Sequence, residues 1–341
     1  LAATDASEMY VSNNAGCASG GAWEDYTTTK AWLLGQSNDT GTVYAKFRDE
    51  AGNETSCIND TIIHDSVAPV AAIGGTPASP TNDASYDIDV QVDDGLESYQ
   101  YAVIASVGLC SAASYNETWV SHSTNIAGNL SGAGTWKMCV IGQDAAGNVQ
   151  SSVTATEYVW QYDNQQPTVS VSTTSSDPTN DTTIPVTITF SEQVTGFVQG
   201  DLTITGGSVA NFAGSDSTYD FEVTPAASGT ITVDVAAGSA TDSSGNTNTA
   251  ATQFTIVYDN TPPTSTSVSI AGGATHINNT TVSLTLGATD VAEMYVTNTE
   301  GCATGGNWED FATIKTWTMG QSNEIATVYA KFRDALGNES S

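Results

Sequence analysis

The 341-residue sequence has few charged residues, and very few of these are basic. Only 13% of residues are charged, with 7 Lys and Arg against 38 Asp and Glu, and the formal net charge is −31 at pH 7. Because like charges repel, such a polyanion is predicted to bind neither nucleic-acid phosphates nor anionic lipid surfaces. Cations are the partners that this charge predicts.

Long apolar runs and a helix-forming composition are also missing. No segment approaches the roughly 18 consecutive apolar residues of a transmembrane helix, so no membrane insertion is expected of this segment. Thr, Ser, Gly, Asn, Val and Ala fill most of the chain, whereas amphipathic helices need Leu, Glu, Lys, Arg and Gln on their faces. Thr, Val and Tyr favour strands and Gly, Asn and Asp favour turns, so the composition predicts an all-β protein.

An internal repeat is the strongest pattern in the sequence. Residues 1–56 correspond to residues 286–341 at a constant offset of 285, so that Cys17 matches Cys302 and Trp23 matches Trp308. About two-thirds of the aligned residues are identical, which indicates tandem duplication. The first copy is expected to lack strands that precede Leu286, and the last copy to lack a strand like the one that follows Ser56. The chain is therefore expected to be part of a longer array.

Three similar linkers, each with an Asp followed by a Pro, divide the chain at residues 64–70, 162–169 and 258–265. Proline fixes φ and favours an extended preceding residue, so the linkers are predicted to be short and stiff. Between them, segments such as IPVTITF at 184–190 alternate apolar and polar residues, as strands do. The predicted modules, called first to fourth below, span residues 1–66 (N-terminally truncated), 67–164, 165–261 and 262–341 (C-terminally truncated).

The third module resembles the bacterial immunoglobulin-like repeat domains of long surface proteins and adhesins. The resemblance is carried by FSEQVTGF at 190–197, DLTITGGSV at 201–209 and the run from Asn211 to Asn246, and in the other modules by the Asp-x-x-Gly-Asn turn and the Asp-Pro linker. It implies tandem immunoglobulin-like β-sandwich modules in a linear array, used as spacers. It also implies an extracellular or cell-surface location on a bacterium.

Five cysteines fit this extracellular setting, where small β domains use disulfides. Pairing within modules predicts the bonds Cys17–Cys57 and Cys110–Cys139, each contributing about 2–4 kcal/mol to stability. Buried free thiols remain the alternative. Cys302 is predicted to be unpaired in this fragment. A zinc site is not expected, because the sequence has no Cys-x-x-Cys pair.

Acidic and Asn residues recur in three successive modules, on the incoming linker, after the second strand and in the Asp-x-x-Gly-Asn turn. In an immunoglobulin-like module these places lie at one end, so the oxygens are predicted to converge and bind Ca²⁺, which would stiffen the junctions by neutralising the carboxylates. The predicted ligands are Asp65, Asp93, Asp94, Asp144 and Asn148; Asp163, Glu192, Asp242 and Asn246; and Asp259, Asp290, Asp334 and Asn338. The same turn pattern also suits a tight hairpin without metal, and this alternative stays open.

No catalytic motif is found, since the sequence has no Gly-x-Ser-x-Gly elbow and no phosphate-binding glycine loop. Its three histidines lie in different modules or linkers, at His64, His122 and His276. The chain is therefore predicted to be no enzyme, but a structural stalk, extender or fibre segment whose partners are neighbouring modules, like chains in a filament or a surface ligand. The alternative is glycan or protein binding through Trp-bearing loops at Trp23, Trp32, Trp308 and Trp317.

Overall fold

The computed structural model describes residues 1–91 and 95–341. In this part of the chain the regular structure is 24 β-strands and six three-residue 3₁₀ segments, which confirms the all-β prediction. None of these helical segments has the length and hydropathy needed to cross a bilayer. The chain divides into two compact units, Leu1–Asn164 and Gln165–Ser341. The 3₁₀ segments are Ala15–Cys17, Cys110–Ala112, Ser152–Thr154, Gln199–Asp201, Ala271–Gly273 and Glu300–Cys302.

The first module contributes one antiparallel sheet of four strands to the first unit, in the order β2-β1-β3-β4. Its strands are β1 (Glu8–Ser12), β2 (Trp23–Asp25), β3 (Asp39–Arg48) and β4 (Ile58–His64). A small apolar cluster of Met9, Val11, Ala45 and Phe47 covers one face. Ile58 and Ile62 on β4 are 52% and 60% exposed, because among the described residues no second sheet covers them.

The second module completes the first unit with two sheets, β11-β10-β7-β8 and β5-β6-β9. Its core is built around Trp160, Tyr99 and Met138, which are almost fully buried. Burial raises the pKa of Tyr99 to about 12, and its hydroxyl donates a hydrogen bond to the Thr124 carbonyl oxygen. The strands are β5 (Ala72–Gly74), β6 (Ser85–Gln91), β7 (Leu96–Ala105), β8 (Val120–Ser121), β9 (Ile126–Asn129), β10 (Gly134–Asp144) and β11 (Thr156–Tyr162).

The third module opens the second unit with sheets β12-β13-β16-β15 and β14-β17-β18. The alternating segment IPVTITF forms a strand as predicted. Its alternate residues Ile184, Val186, Ile188 and Phe190 are all buried, because successive side chains of a strand point to opposite faces of the sheet. Its strands are β12 (Val169–Thr173), β13 (Ile184–Phe190), β14 (Leu202–Thr205), β15 (Gly207–Ser215), β16 (Thr218–Pro225), β17 (Gly229–Val235) and β18 (Phe254–Tyr258).

The fourth module follows with sheets β19-β20-β23 and β22-β21-β24 over a core that includes Leu284, Leu286, Met294 and Phe332. Its strands are β19 (Thr264–Ile270), β20 (Thr281–Thr289), β21 (Glu293–Thr297), β22 (Trp308–Asp310), β23 (Ile314–Thr318) and β24 (Tyr329–Arg333). The second, third and fourth modules each pack two antiparallel sheets over one apolar core, which confirms the β-sandwich prediction. The residue boundaries of the four modules remain predictions.

Candidate functional site

The Asp-x-x-Gly-Asn turn of the fourth module is closed by its own side chains. Asp334 Oδ1 accepts hydrogen bonds from the backbone N–H of Leu336 (2.8 Å) and of Asn338 (2.9 Å). Asp334 Oδ2 accepts a third bond from Asn338 Nδ2 at 2.7 Å. Gly337 has a φ of 87°, a backbone conformation that favours glycine. The hairpin role that the sequence left open is therefore present in this turn.

The other three turns repeat this network of an Asp carboxylate bonded to the Asn four residues later. In each, the Asn donates both its backbone N–H and its side-chain amide, at Asp49 and Asn53, Asp144 and Asn148, and Asp242 and Asn246. Hydrogen bonds from Asn53 hold the pKa of Asp49 below its usual value. Burial opposes ionisation of Asp144, but hydrogen bonds from Asn148 outweigh it, so the pKa of Asp144 is also lowered.

The turn also binds the linker that enters its own module. Asn338 Nδ2 donates to the backbone carbonyl oxygen of Asp259 at 3.0 Å, and Asn180 of the third module donates to the carbonyl oxygen of Leu336 at 2.8 Å. The Asp259 carboxylate accepts the backbone N–H of Thr261 at 2.9 Å. These bonds tie the third and fourth modules together within the second unit.

Three carboxylates meet at this junction. Asp259 on the linker, Asp290 after β20 and Asp334 in the turn each offer an oxygen, and these oxygens lie within 4.8 Å of one another. Asp334 is buried, Asp259 is partly buried and Asp290 is exposed. Asp290 has a φ of 57°, in the left-handed region that Asp tolerates better than most residues. The structure therefore brings these three residues together, and their role as calcium ligands stays a prediction.

The Lys and Arg side chains of the chain pair with residues other than these aspartates. Each of the seven Lys and Arg residues forms an ion pair with a Glu, and among the described residues no such pair uses an Asp. The three junction aspartates therefore have no salt-bridge partner in the described structure to offset their mutual repulsion.

A hard divalent cation fits this donor set. Ca²⁺ takes six to eight oxygen ligands at about 2.3–2.6 Å, and carboxylates and backbone carbonyls are its usual ligands in proteins. Two oxygens on opposite sides of such an ion lie about twice this distance apart, and the Asp259, Asp290 and Asp334 oxygens lie within 4.8 Å of one another. Each carboxylate has about four lone-pair sites, so the three hydrogen bonds to Asp334 leave acceptor capacity for an ion.

The equivalent residues of the second module are only partly described. Asn148 Nδ2 donates to the Asp65 carbonyl oxygen at 3.2 Å, as Asn338 does to Asp259, while Asp65 Oδ1 accepts the N–H of Val67. Asp93 and Asp94, which the sequence predicts as further ligands there, lie outside the described residues.

In the third module, part of the predicted calcium-ligand set lies within the second unit. Carboxylate oxygens of Glu192 and Asp242 lie within 4.8 Å of each other, and Asn246 bonds Asp242 within the turn. Asp163, the predicted linker ligand, belongs to the first unit.

Asn180 was missed by the sequence analysis, although a signal existed. A Pro-Thr-Asn run recurs as Pro80-Thr81-Asn82 and Pro178-Thr179-Asn180. In both copies the backbone N–H of the outgoing linker Asp donates to the Thr carbonyl oxygen. Asp163 donates to Thr81 and Asp259 donates to Thr179, each at 2.9 Å. The repeated run therefore marks residues that hold the linkers.

Both predicted disulfides form in the structure. Cys17 is bonded to Cys57 with 5.8 Å between their Cα atoms, and Cys110 to Cys139 with 5.6 Å. Cys302 carries a free, partly buried thiol. Burial raises its pKa, an effect that the charge of Lys331 opposes.

Each of the four tryptophans considered for ligand binding has a cation of the chain over its ring, with Lys30 Nζ 5.3 Å from the ring centroid of Trp32 and Lys315 Nζ 5.7 Å from that of Trp317. The guanidinium carbon of Arg48 lies 4.3 Å from the ring centroid of Trp23, and Arg333 lies at the same distance from Trp308. The remaining two donate their indole N–H to an Asn side chain, Trp32 to Asn13 and Trp317 to Asn298.

The three histidines each contact a neighbouring loop or backbone group. His64 Nδ1 accepts the N–H of Asn38 at 3.1 Å, and Nδ1 of His122 lies 3.2 Å from the Glu97 carbonyl oxygen. His276 contacts the hydroxyl of its neighbour Thr275.

Comparison with known proteins supports the resemblance of the third module. The family described as "Bacterial Ig-like domain" matches residues 163–258. No curated protein matches the chain. Residues 163–258 are therefore similar to a bacterial Ig-like domain, as the sequence runs of the third module indicate.

Solved structures also resemble the chain at low identity. One is described as a tetra-tandem repeat in the extending region of a large adhesion protein, with 19% identity, a TM-score of 0.30 and coverage of 98% of this chain and 91% of that chain. A second is the chicken CNTN1 FN1-FN3 domains, with 10% identity, a TM-score of 0.22 and coverage of 79% and 94%. A third is Escherichia coli alpha-2-macroglobulin, with 8% identity, a TM-score of 0.19 and coverage of 99% and 40%.

Proposed function

We propose that the chain is an extender segment of a secreted or cell-surface bacterial repeat protein of the adhesin type. One observation carries the proposal: at two junctions the turn Asn bonds the carbonyl oxygen of the linker Asp, Asn148 to Asp65 and Asn338 to Asp259. Bonds of this kind hold one module in a fixed orientation on the next, as a spacer requires if it is to keep its two ends apart. The bacterial Ig-like domain at residues 163–258 and the internal repeat support the same role.

The neighbouring modules are the proposed partners, with like chains in a filament or a surface ligand beyond them. A glycan-binding role has less support, because Arg48 and Arg333 lie over the rings of Trp23 and Trp308. Stacking on a sugar would need a free ring face. No catalytic activity is proposed.

Small-angle X-ray scattering of the whole chain tests the extender role. A compact domain of this length would have a radius of gyration of about 20 Å, and we expect a clearly larger value. The double variant Asn148→Ala and Asn338→Ala should broaden the distribution of interatomic distances, because both linker bonds are lost. Asn53→Ala is the control, since Asn53 makes the same turn bonds but no bond to a preceding linker in the described structure.

A radius of gyration near that of a compact domain would contradict the extender role. Equal broadening by Asn53→Ala would show that the turns matter and the linker bonds do not.

We further propose that Ca²⁺ binds Asp259, Asp290 and Asp334, with Asn338 holding the turn in place. Calcium would supply the positive charge that the described residues do not place beside these carboxylates, and so stiffen the junction. By equivalence, the acidic set around Asp65 is proposed to serve the junction of the first and second modules.

Isothermal titration of the chelator-treated chain with CaCl₂ tests this proposal. We expect saturable binding, a higher melting temperature with calcium, and a narrower distance distribution in scattering. Any ligand that binds only the folded state stabilises it, by about 2.7 kcal/mol at a concentration 100 times its Kd. An absence of binding heat together with unchanged melting would leave the aspartates with their turn role alone and would not affect the extender role.

A further inference from the structure

The linker residue Asp259 is held by both of the modules that it joins. Its backbone N–H donates to the Thr179 carbonyl oxygen of the third module at 2.9 Å. Its own carbonyl oxygen accepts the side-chain amide of Asn338, in the turn of the fourth module, at 3.0 Å. Nδ2 of Asn180, the residue after Thr179, lies 3.2 Å from Asn338 Oδ1. Because Thr179 and Asn180 are joined covalently, these contacts close a ring that runs through both modules.

Only one orientation of the Asn338 amide fits this ring. Its Nδ2 donates to the Asp259 carbonyl oxygen and, at 2.7 Å, to Asp334 Oδ2. A carbonyl oxygen and an ionised carboxylate can only accept hydrogen bonds, so a flipped amide would place oxygen against oxygen. The Asn338 Oδ1 atom is therefore directed to the third module as an acceptor.

Asn180 fills that acceptor and one more. Its Nδ2 also donates to the carbonyl oxygen of Leu336 at 2.8 Å. The backbone bonds within the turn run from Gly337 N–H to the Asp334 carbonyl and from Asp334 N–H to the Asn338 carbonyl, so in the described structure they leave the Leu336 carbonyl to Asn180. One amide thus supplies two hydrogens to two acceptors of the turn, which a carboxylate cannot do.

These hydrogen bonds reach the backbone carbonyl of the second x position of the Asp-x-x-Gly-Asn turn and the side chain of its Asn. All four turns of the chain keep the bonds between their Asp and Asn residues. Their x residues differ, being Glu and Ala at 50–51, Ala and Ala at 145–146, Ser and Ser at 243–244, and Ala and Leu at 335–336. Turns that are closed by the same bonds should present the same two acceptors.

We propose that Asn180 is the residue by which the third module recognises its neighbour, and that its partner is a module with an Asp-x-x-Gly-Asn turn of any x residues. One amide hydrogen reads the carbonyl oxygen of the second x residue, and the other reads the turn Asn. Modules of different sequence can then follow one another with the same junction. Such recognition serves the proposed extender role and rests on it, but it requires no calcium.

The substitution Asn180→Asp separates hydrogen-bond donation from simple packing. Asp has nearly the shape of Asn but lacks the amide hydrogens. It would place a carboxylate against the Leu336 carbonyl oxygen and Asn338 Oδ1, whereas Asn180→Ala only removes the group. If Asn180 acts as a donor, the Asp variant is the worse of the two, because it leaves a charge that faces acceptors. If Asn180 only fills space, the Asp variant is the better.

Hydrogen exchange of the full chain, followed by mass spectrometry in the presence of a chelator, measures the effect. We expect residues 259–261 and 334–338 to exchange their amide hydrogens roughly tenfold faster in Asn180→Ala, and faster still in Asn180→Asp. Slow exchange of β13 and β20, which lie in the cores of the two modules, shows that each variant is folded.

Asn278 provides the matched control. The run Asn-Asn-Thr-Thr at 278–281 aligns with Asn-Asp-Thr-Thr at 180–183, so Asn278 is the counterpart of Asn180 in the fourth module. Its side chain is exposed and makes no hydrogen bond in the described part of the chain. Asn278→Ala and Asn278→Asp should therefore leave the exchange of both segments unchanged.

The double substitution Ala335→Ser with Leu336→Ser tests whether any x residues are accepted. It gives the fourth module the turn sequence of residues 242–246. The backbone carbonyl that Asn180 reads is unchanged, so exchange should stay within about twofold of the parent.

Two results would overturn the recognition by Asn180. Exchange no faster in Asn180→Asp than in Asn180→Ala would mean that shape matters and donation does not. Loss of protection in the double Ser variant would mean that the Leu336 side chain carries the contact. Scattering separates these results from the extender role, because a compact parent contradicts that role, whereas an extended parent with either result contradicts the recognition alone.

Discussion

The substitution Asp290→Asn separates the metal role of the junction aspartates from their turn role. Asp334 and Asp259 both accept hydrogen bonds from the backbone, so replacing either would damage the local structure as well as any ion site. Asp290 is exposed and has a φ of 57°, and Asn tolerates this conformation as well as Asp does. The substitution therefore removes one carboxylate charge and leaves the backbone unstrained.

The expected effect without calcium is stabilising. Two unit charges 4.8 Å apart, the upper limit of the observed separation, repel by about 1 kcal/mol in water. Asp290→Asn removes two such pairs, and screening at physiological ionic strength roughly halves the sum to about 1 kcal/mol. For a unit of this size the melting temperature should rise by about 2–4 °C in chelator.

The sign should reverse with calcium. At a calcium concentration 100 times the Kd, the parent gains about 2.7 kcal/mol, whereas a variant that binds 100-fold more weakly gains only about 0.4 kcal/mol. The variant should then melt below the parent by an amount equivalent to about 1 kcal/mol. Differential scanning calorimetry of the full chain, with and without chelator, measures both differences.

Asp5→Asn is the matched control, because Asp5 corresponds to Asp290 in the first copy and has a φ of 59°. Among the described residues Asp5 belongs to no group of three acidic side chains, so its replacement should leave the calcium response unchanged. An equal calcium response of parent and Asp290→Asn, or an equal loss of that response in Asp5→Asn, would refute the reasoning.

Three further predictions concern stability. Trp160→Ala should destabilise the first unit by about 3–5 kcal/mol, since Trp160 is 1% exposed, while Val107→Ala at a 93% exposed position should have little effect in the same calorimetric scan. The pKa values of Asp49 and Asp144 are lowered in the folded state, so their ionised forms stabilise the fold above the unfolded pKa of about 3.9. This contribution is lost as the pH falls through the lower folded pKa values. The melting temperature should therefore decline below about pH 4, and Asn53→Ala and Asn148→Ala should each make this decline shallower. Peptide mapping of unreduced protein should find the two intramodule disulfides, and their reduction should lower stability by about 2–4 kcal/mol each; the predicted pairs are Cys17–Cys57 and Cys110–Cys139.

Local patterns explain why the strands were predictable. IPVTITF coincides with β13 at Ile184–Phe190, because alternate burial across a sandwich leaves a period of two in the sequence. TYDFEVT falls within β16, at Thr218–Pro225, for the same reason. The turn Asp residues were visible because Asp-x-x-Gly-Asn needs specific residues to close it.

Contacts between modules were harder to predict. The bond from Asn180 to Leu336 joins residues 156 positions apart, and no local periodicity reports such a pairing. The cation–π contacts of Arg48 with Trp23 and of Arg333 with Trp308 likewise join strands that are not neighbours, because β1 or β21 lies between them in the sheet. The Pro-Thr-Asn run that contains Asn180 and the cation–π contacts both recur along the chain. Comparison of the copies with each other is therefore the signal that points to these residues.

The charge distribution gives a last prediction, which distinguishes bound calcium from general screening. The third module, residues 165–261, has no Lys or Arg and ten Asp and Glu, so any salt should relieve its self-repulsion and raise the melting temperature of the second unit in chelator. Screening depends on ionic strength and treats Mg²⁺ and Ca²⁺ alike, whereas a site of several protein oxygens favours Ca²⁺, because Mg²⁺ retains its water and demands octahedral geometry. At equal ionic strength we therefore expect NaCl and MgCl₂ to give similar, modest increases and CaCl₂ to give a larger one, which Asp290→Asn removes. Identical increases with all three salts would mean that the junction aspartates respond to screening alone.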